Sequence, residues 1–521
     1  MKVRTRMAPS PTGYAHVGML SRFLINYALA KKNGGQFIWR NEDTDQDRLV
    51  ADALEYNMKW IREFGLDWDE GPDKGGPFAP YTQTERLDLY QAAAQKLVDN
   101  GYAYKCFCSP ERLTELREEQ TLAKQRTKYD GKCRNLSQDE INQKIANGEK
   151  FTIRIKVPEN RKIEFYDVVT KNNVVWDSAD VDDMIIMKSS GIPTYHLAAM
   201  YDDIAMKITH VFRGSEWLSS TPVHVLIYEG LGIKKEEMPA IGHFTVILDP
   251  STPGKKFSKR SGSFRVNGLP IRGYLKPAIL NYLMLLGWAP KDNRELFTLD
   301  EYVQTFDMEG LQKANATWDN KKMDWFNGIY LRNLSVEQVT TEFKSWIEKY
   351  LTTANEEDLT LNLVDEGDYK VESKEKMYSL IEFAKTLFSV DSETLSKQLM
   401  IVQERAVNFW HILQQLEFFY VAPANINWNI KQLDKVRDNL PLIIERLHTH
   451  ISNMPDDAST WWHQEWEQGV RKISEELGAK AGDIFMTLRV AIVGSPFSPP
   501  MFEAMQLLGK SECLRRLTFG K

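Results

Sequence analysis

Cysteine is scarce in this chain. Cys106, Cys108, Cys133 and Cys513 are the only four in 521 residues, too few for a disulfide scaffold, and that usage points to a reducing compartment. Long apolar runs are missing as well. The longest stretch without a charged side chain, Met7 to Ser21, has fifteen residues and includes two prolines and two glycines. A spanning helix needs roughly twenty apolar residues, so no membrane crossing is expected. No apolar h-region or long Arg/Ser-rich leader opens the sequence, so no targeting segment is expected. The expected location is cytoplasmic; an organelle matrix, after removal of an import peptide, fits the same sequence. Internal repeats and low-complexity tracts are also absent. What is present argues for ordinary cores: 42% hydrophobic, 11% aromatic and 26% charged residues exclude wholesale disorder. At about 100–200 residues per domain, three to five domains are expected.

The formal charge is −6, from 66 basic and 72 acidic side chains. Taken whole, that mild acidity argues against a nucleic-acid partner. The charge is uneven, however. Residues 1–41 carry seven basic side chains and no acid, and residues 251–294 carry nine against the single Asp292. Two such segments brought together form a positive cleft for a polyanion; apart, they are solvated faces.

Lys2 to Ala8 alternates as a strand and is stopped by Pro9. Residues 9–14 read as a loop by their proline and glycine content. A helix is expected from Val17 to Lys32, with Leu20, Phe23, Leu24, Tyr27 and Ala28 at helical spacing and Asn33-Gly34-Gly35 ending it. Gln36 to Asn41 reads as the next strand. Strand, loop, helix and strand in some forty residues mark a βαβ unit of a parallel sheet, which places the loop at the carboxyl end of the first strand, where open α/β sheets bind ligands. Residues 106–176 lose this rhythm and read as an insertion; Met184 to Val211 regains it. From about residue 334 the chain reads as helical, with helices expected at Val336–Lys349, Lys374–Phe388, Ser396–Phe419 and Gln432–His448.

Two elements carry chemistry. His16-Val17-Gly18 stands where a helix begins, and a helix N-terminus suits a phosphate. A histidine there can donate to a phosphate oxygen, or simply cap the helix. Residues 255–263, KKFSKRSGS, pack cations, hydroxyls and a glycine into one loop, a composition suited to a triphosphate or to a solvated basic turn.

His16-Val17-Gly18-Met19 and Lys256-Phe257-Ser258-Lys259-Arg260 resemble the two signature elements of the class I aminoacyl-tRNA synthetases, the second ending in arginine as in the glutamyl branch. The resemblance to the glutamyl-tRNA synthetase family, bacterial and organellar type, is wider. It takes in Arg6 to Gly13, Glu42 to Asp45, Gly65 to Leu87, Gly101 to Leu113, Pro193 to Ala198, Asp202-Asp203, Ile208 to Trp217, Asn281 to Trp288, Trp318 to Gly328 and Ile484 to Lys510, in collinear order.

That resemblance implies a Rossmann-like α/β catalytic domain in two halves, 1–98 and 189–240. It implies an inserted α+β acceptor-binding domain at 99–188, a stem-contact domain at 241–330, and an all-helical anticodon-binding region at 331–521. It implies ATP-dependent activation of L-glutamate and transfer to the 3′ end of tRNA(Glu), with Mg²⁺ accompanying ATP, in a monomer. His16, Lys256 and Lys259 take the catalytic roles. Pro9, Thr12, Gly13, Gly18, Trp217, Ser258 and Arg260 join them around ATP. Arg6, Ala8, Ser10, Glu42, Tyr195 and Arg213 form the glutamate pocket, with Asp45, Glu216 and Trp217 near the tRNA 3′ end. Cys106, Cys108 and Cys133 resemble the zinc element of some members, with Tyr129 as fourth ligand because Asn135 replaces a histidine; other members hold no metal there. The related glutamyl transferase that modifies a tRNA base lacks the helical third, and glutaminyl-tRNA synthetase ends in β-barrels. A non-catalytic tRNA-binding descendant would not need His16, Lys256 and Lys259 intact.

Overall fold

The computed structural model describes residues 2–244, 246–249, 265–365, 368–424 and 426–517. It divides into two compact units, residues 1–266 with 280–319, and residues 267–279 with 320–521.

The first unit contains strands β1 (Arg4–Met7), β2 (Gln36–Trp39), β3 (Ala103–Cys106), β4 (Thr152–Ile155), β5 (Lys162–Asp167), β6 (Asn172–Asp177), β7 (Ile185–Met187), β8 (His210–Gly214) and β9 (Ala240–Phe244). Its main helices are α1 (Val17–Lys32), α2 (Ala53–Glu63), α3 (Leu87–Asp99), α4 (Pro110–Leu122), α5 (Gln138–Ala146), α6 (Tyr195–Ala205) and α7 (Thr221–Gly230). Six strands form one sheet in the order β2-β1-β8-β9-β5-β6. All its pairings are parallel except β5 with β6. The chain winds from β1 outward to β2 and later returns to the other side of β1 as β8, so the order reverses between β1 and β8. A crevice opens at such a reversal, outside the carboxyl ends of the strands.

The first βαβ unit forms for local reasons. Ten of the sixteen residues of α1 are buried, including Leu20, Phe23, Leu24 and Ala28, so one broad face packs on the sheet. Gly34, at φ +57°, turns the chain out of the helix, a conformation that costs glycine little. Ile38, Tyr90, Leu197, Val211, Leu226 and Ile241 belong to one buried cluster that joins the sheet to α3, α6 and α7; each large apolar side chain so buried contributes roughly 1.5–3 kcal/mol. Within residues 99–188, β3, β4 and β7 form a separate antiparallel sheet, while β5 and β6 extend the main one.

The described residues of the second unit contain helices and turns and no strand. Two expected helices differ. The single helix expected at Ser396–Phe419 is two, Ser392–Gln403 and Phe409–Tyr420. Asn408 breaks the run by turning its side chain onto the His411 amide, 2.7 Å away, as a cap. The helix expected from Gln432 begins instead at Leu440, with Pro441 in its first turn, where a missing N–H breaks no helical bond. No described helix is long and apolar enough to cross a membrane.

Candidate active site

The carboxyl ends of β1 and β8 open into a cavity of about 330 Å³. Arg6, Met7 and Ala8 come from the end of β1, Pro9, Ser10, His16 and Gly18 from the following loop and α1, and Phe212, Arg213 and Gly214 from β8. Glu42, Tyr195, Glu216 and Trp217 complete the expected residues at its wall. Thr12 and Gly13 do not line it: the Thr12 amide bonds back to the Ser10 carbonyl at 2.8 Å, and the Gly13 carbonyl accepts from Asn57. Asp45 also stands away from it, paired with Arg48. Lys256, Ser258, Lys259 and Arg260 lie outside the described residues. The residues flanking that segment are placed: Val246 and Ile247 line the cavity, and the Val266 amide donates to the Ala15 carbonyl at 2.9 Å.

His16 caps α1. Its Nδ1 accepts from the Gly18 amide at 3.1 Å, so the proton of the neutral ring sits on Nε2. The same side chain caps the helix and lines the cavity. Gly18 matters to both roles, because a Cβ at that position would stand 3.0 Å from the His16 ring.

The two arginines of the expected glutamate pocket have different surroundings. Arg6 is buried and ion-paired: its Nε donates to Asp203 Oδ1 at 3.0 Å, and a terminal nitrogen to the Phe212 carbonyl at 3.3 Å. Asp203 also accepts from Arg40 at 2.8 Å, and Arg40 donates to Glu42 at 3.0 Å. Burial would push the Asp203 carboxyl up, but Arg6 and Arg40 hold it below its ordinary range. At Glu42 burial prevails over Arg40 and Arg6, and its carboxyl is raised.

Arg213 has no carboxylate at ion-pair distance among the described residues. Its Nε donates to His243 Nε2 at 3.0 Å, one terminal nitrogen to His224 Nδ1 at 2.6 Å, and the other to Thr221 Oγ1 at 2.8 Å. These bonds use three of the five N–H groups of a guanidinium. One on each terminal nitrogen remains; the Tyr195 hydroxyl lies at hydrogen-bonding range of the guanidinium, so a ligand carboxylate would meet these groups beside that hydroxyl. Burial, with Arg213 adding to it, lowers His196 to about 4 and holds His224 far below its ordinary value. His243 is lowered too, by burial against the pull of Asp167. The imidazoles are therefore neutral acceptors at pH 7.

Asp203 and His196 lie in the family-like segments with no role attached to them there, and nothing in the sequence pattern singles out Arg40, His224, His243 or Asp167. Arg22, one of the seven basic residues of segment 1–41, lines the cavity near Glu216.

Within residues 99–188, the sulfur atoms of Cys106, Cys108 and Cys133 lie within 4.8 Å of one another. Tyr129 Oη stands 3.4 Å from both Cys106 Sγ and Cys108 Sγ, and Cys108 and Cys133 are 3.6 Å apart. Tetrahedral zinc with bonds of about 2.3 Å to sulfur and 2.0 Å to oxygen sets its ligands about 3.5–3.8 Å apart. The separations of Tyr129 from Cys106 and Cys108, and of Cys108 from Cys133, are close to that spacing. The hydrogen bond between the Cys106 and Cys133 thiols favours one shared negative charge, lowering Cys106 and raising Cys133, while burial and its bonds to the cysteines raise the Tyr129 phenol. Asn135 is exposed.

Residues 2–325 match the catalytic domain of the class I tRNA synthetases (E and Q), and residues 377–521 match an anticodon-binding domain. The glutamate–tRNA ligase of Clostridioides difficile strain 630 is 36% identical, with 100% of this chain and 99% of that one aligned. The chain belongs to the glutamate–tRNA ligase family. It is thus an enzyme of the aminoacyl-tRNA synthetase class. The glutamate–tRNA ligase of Gloeobacter violaceus is likewise 36% identical, over 98% of this chain and 94% of its own. Among solved structures, a glutamate tRNA ligase from Elizabethkingia meningosepticum in complex with its amino acid has a TM-score of 0.78 at 31% identity, covering 99% of this chain and 98% of its own. A glutamate-tRNA synthetase from Elizabethkingia anophelis matches equally well, with a TM-score of 0.78.

Proposed function

We propose that this cavity joins L-glutamate to ATP as an adenylate, releasing pyrophosphate, and passes the glutamyl group to the 3′ end of tRNA(Glu). The observation that carries this reading is Arg213: a buried, permanently charged fork with no carboxylate partner among the described residues, lining the same cavity as Glu42 and His16. Arg213 receives one substrate carboxylate in a bidentate pair. Glu42 faces the ammonium, and Arg6, neutralised by Asp203, borders the pocket with Ala8, Ser10 and Tyr195. A charged fork favours a γ-carboxylate over an amide, so glutamate over glutamine.

ATP enters as its Mg²⁺ complex. The substrate α-carboxylate attacks the α-phosphorus in line and pyrophosphate leaves, a step governed by positioning and charge neutralisation. The His16 Nε2–H donates to phosphate oxygens as charge develops there. Lys256 and Lys259 neutralise the leaving group, with Ser258 and Arg260 beside them; the flanking residues at the cavity support that placement. Gly18 leaves room for the nucleotide, bordered by Pro9 and Trp217, and Glu216 with Trp217 borders the 3′-terminal ribose. Thr12, Gly13 and Asp45 act from outside the wall. Residues 99–188 hold the acceptor end, 241–330 the stem, and 331–521 the anticodon side. Glutamate-dependent ATP–pyrophosphate exchange is the test, and exchange with glutamate is the expected result.

Cys106, Cys108, Cys133 and Tyr129 would hold Zn²⁺, which when bound ties β3 to the loop carrying Tyr129 and Cys133. Elemental analysis of the purified chain is expected to find about one zinc per chain, lost in Cys133→Ser. Failure to retain zinc after reconstitution would remove the metal from this reading.

A further inference from the structure

The bonds around Arg213 continue through two further helices, α7 and α6, and two further strands, β9 and β5. An arginine only donates, so His224 Nδ1 and His243 Nε2 must each present a lone pair to it. The remaining nitrogen of each ring then carries the proton. His243 Nδ1–H donates to Asp167 Oδ2 at 2.7 Å, and Asp167 is itself fixed by the amides of Val169 and Thr170, both at 2.9 Å. His224 Nε2–H donates to His196 Nδ1 at 2.9 Å, which places the His196 proton on Nε2. Every tautomer in the chain Asp167–His243–Arg213–His224–His196 is thereby set by the arginine at its centre. Thr221, which accepts from Arg213, directs its own proton to the Trp217 carbonyl at 3.2 Å. His224 is wholly buried in α7, and His243 nearly so in β9. Neither lines the cavity.

We propose that His224 and His243 are positioning residues for substrate recognition: as neutral acceptors they fix the rotation of the Arg213 guanidinium so that its remaining N–H edge, beside Tyr195, meets a carboxylate. A carboxylate partner in their place would neutralise the fork; a neutral imidazole holds its orientation and leaves its charge for the ligand. This inference rests on the glutamate-binding reading of Arg213.

The test compares His224→Ala with His224→Asn in the full chain, with exchange measured against glutamate and ATP concentration. The Asn side-chain oxygen stands near the place of Nδ1 and can accept from Arg213. Alanine is expected to raise KM for glutamate about 10- to 100-fold, the effect of losing one bond to a charged group, with KM for ATP unchanged. Asparagine is expected to recover most of that loss. An unchanged glutamate KM in His224→Ala overturns the proposal. So does an equal loss in both variants accompanied by the same fall in melting temperature, which marks a packing role. If Arg213→Ala leaves glutamate KM unchanged while wild type shows saturable exchange, the parent reading fails instead.

Discussion

Arg213→Ala is expected to lower kcat/KM for glutamate by about 30- to 5000-fold, equivalent to about 2–5 kcal/mol. The size follows from the surroundings. The side chain is buried, neutral groups hold it on three sides, and among the described residues no carboxylate pairs with it. A substrate carboxylate is the partner that completes it, and its removal leaves that carboxylate desolvated and alone. Arg213→Lys is expected to restore little, because an ammonium is a point charge that cannot make the planar, doubly bonded contact or span His224, His243 and Thr221 together. Steady-state exchange with glutamate varied, at saturating ATP, reads the effect directly.

Asp203→Asn is expected to destabilise the first unit by about 3–5 kcal/mol, the cost of removing one partner from a buried ion pair. The substitution keeps the shape and removes the charge. Asp203 is 1% exposed and serves both Arg6 and Arg40, so two buried guanidinium groups lose their shared counter-charge. Glu42 and Asp202 remain near Arg40, which is why the larger share of the strain falls on Arg6 and hence on the glutamate pocket. The same pair gives the pH dependence its sign. With the folded value depressed below the ordinary 3.8, this stabilisation is complete above the ordinary value and is lost as pH falls through the lower one. Denaturant titration of both forms near neutral pH and below pH 4 checks both statements.

Much of the fold could be read from local pattern. Val17–Lys32 is an amphipathic run with a glycine stop, and its limits in the structure are the same residues. The C-terminal helices were harder where one polar side chain decides the break, as Asn408 does, or where a proline belongs to a first turn, as Pro441 does. His16 was open to two roles, and its side chain caps α1 while facing the cavity. The net charge of −6 concealed a basic first segment that contributes Arg6, His16 and Arg22 to one cavity wall. The pairing that distinguishes Arg6 from Arg213 was not legible, because Asp203, His224 and His243 meet the arginines only through the order of β1, β8 and β9 and the packing of α6 on α7. The cysteines were legible as a cluster by spacing; that Tyr129 Oη sits among their sulfur atoms needed the fold of the insertion.

The most direct test of the account is ATP–pyrophosphate exchange by the purified chain, with glutamate and glutamine compared, each with and without tRNA(Glu). The account predicts exchange with glutamate in at least one of these conditions and none above background with glutamine. No exchange with glutamate in either condition, or exchange with glutamine as strong, would contradict it.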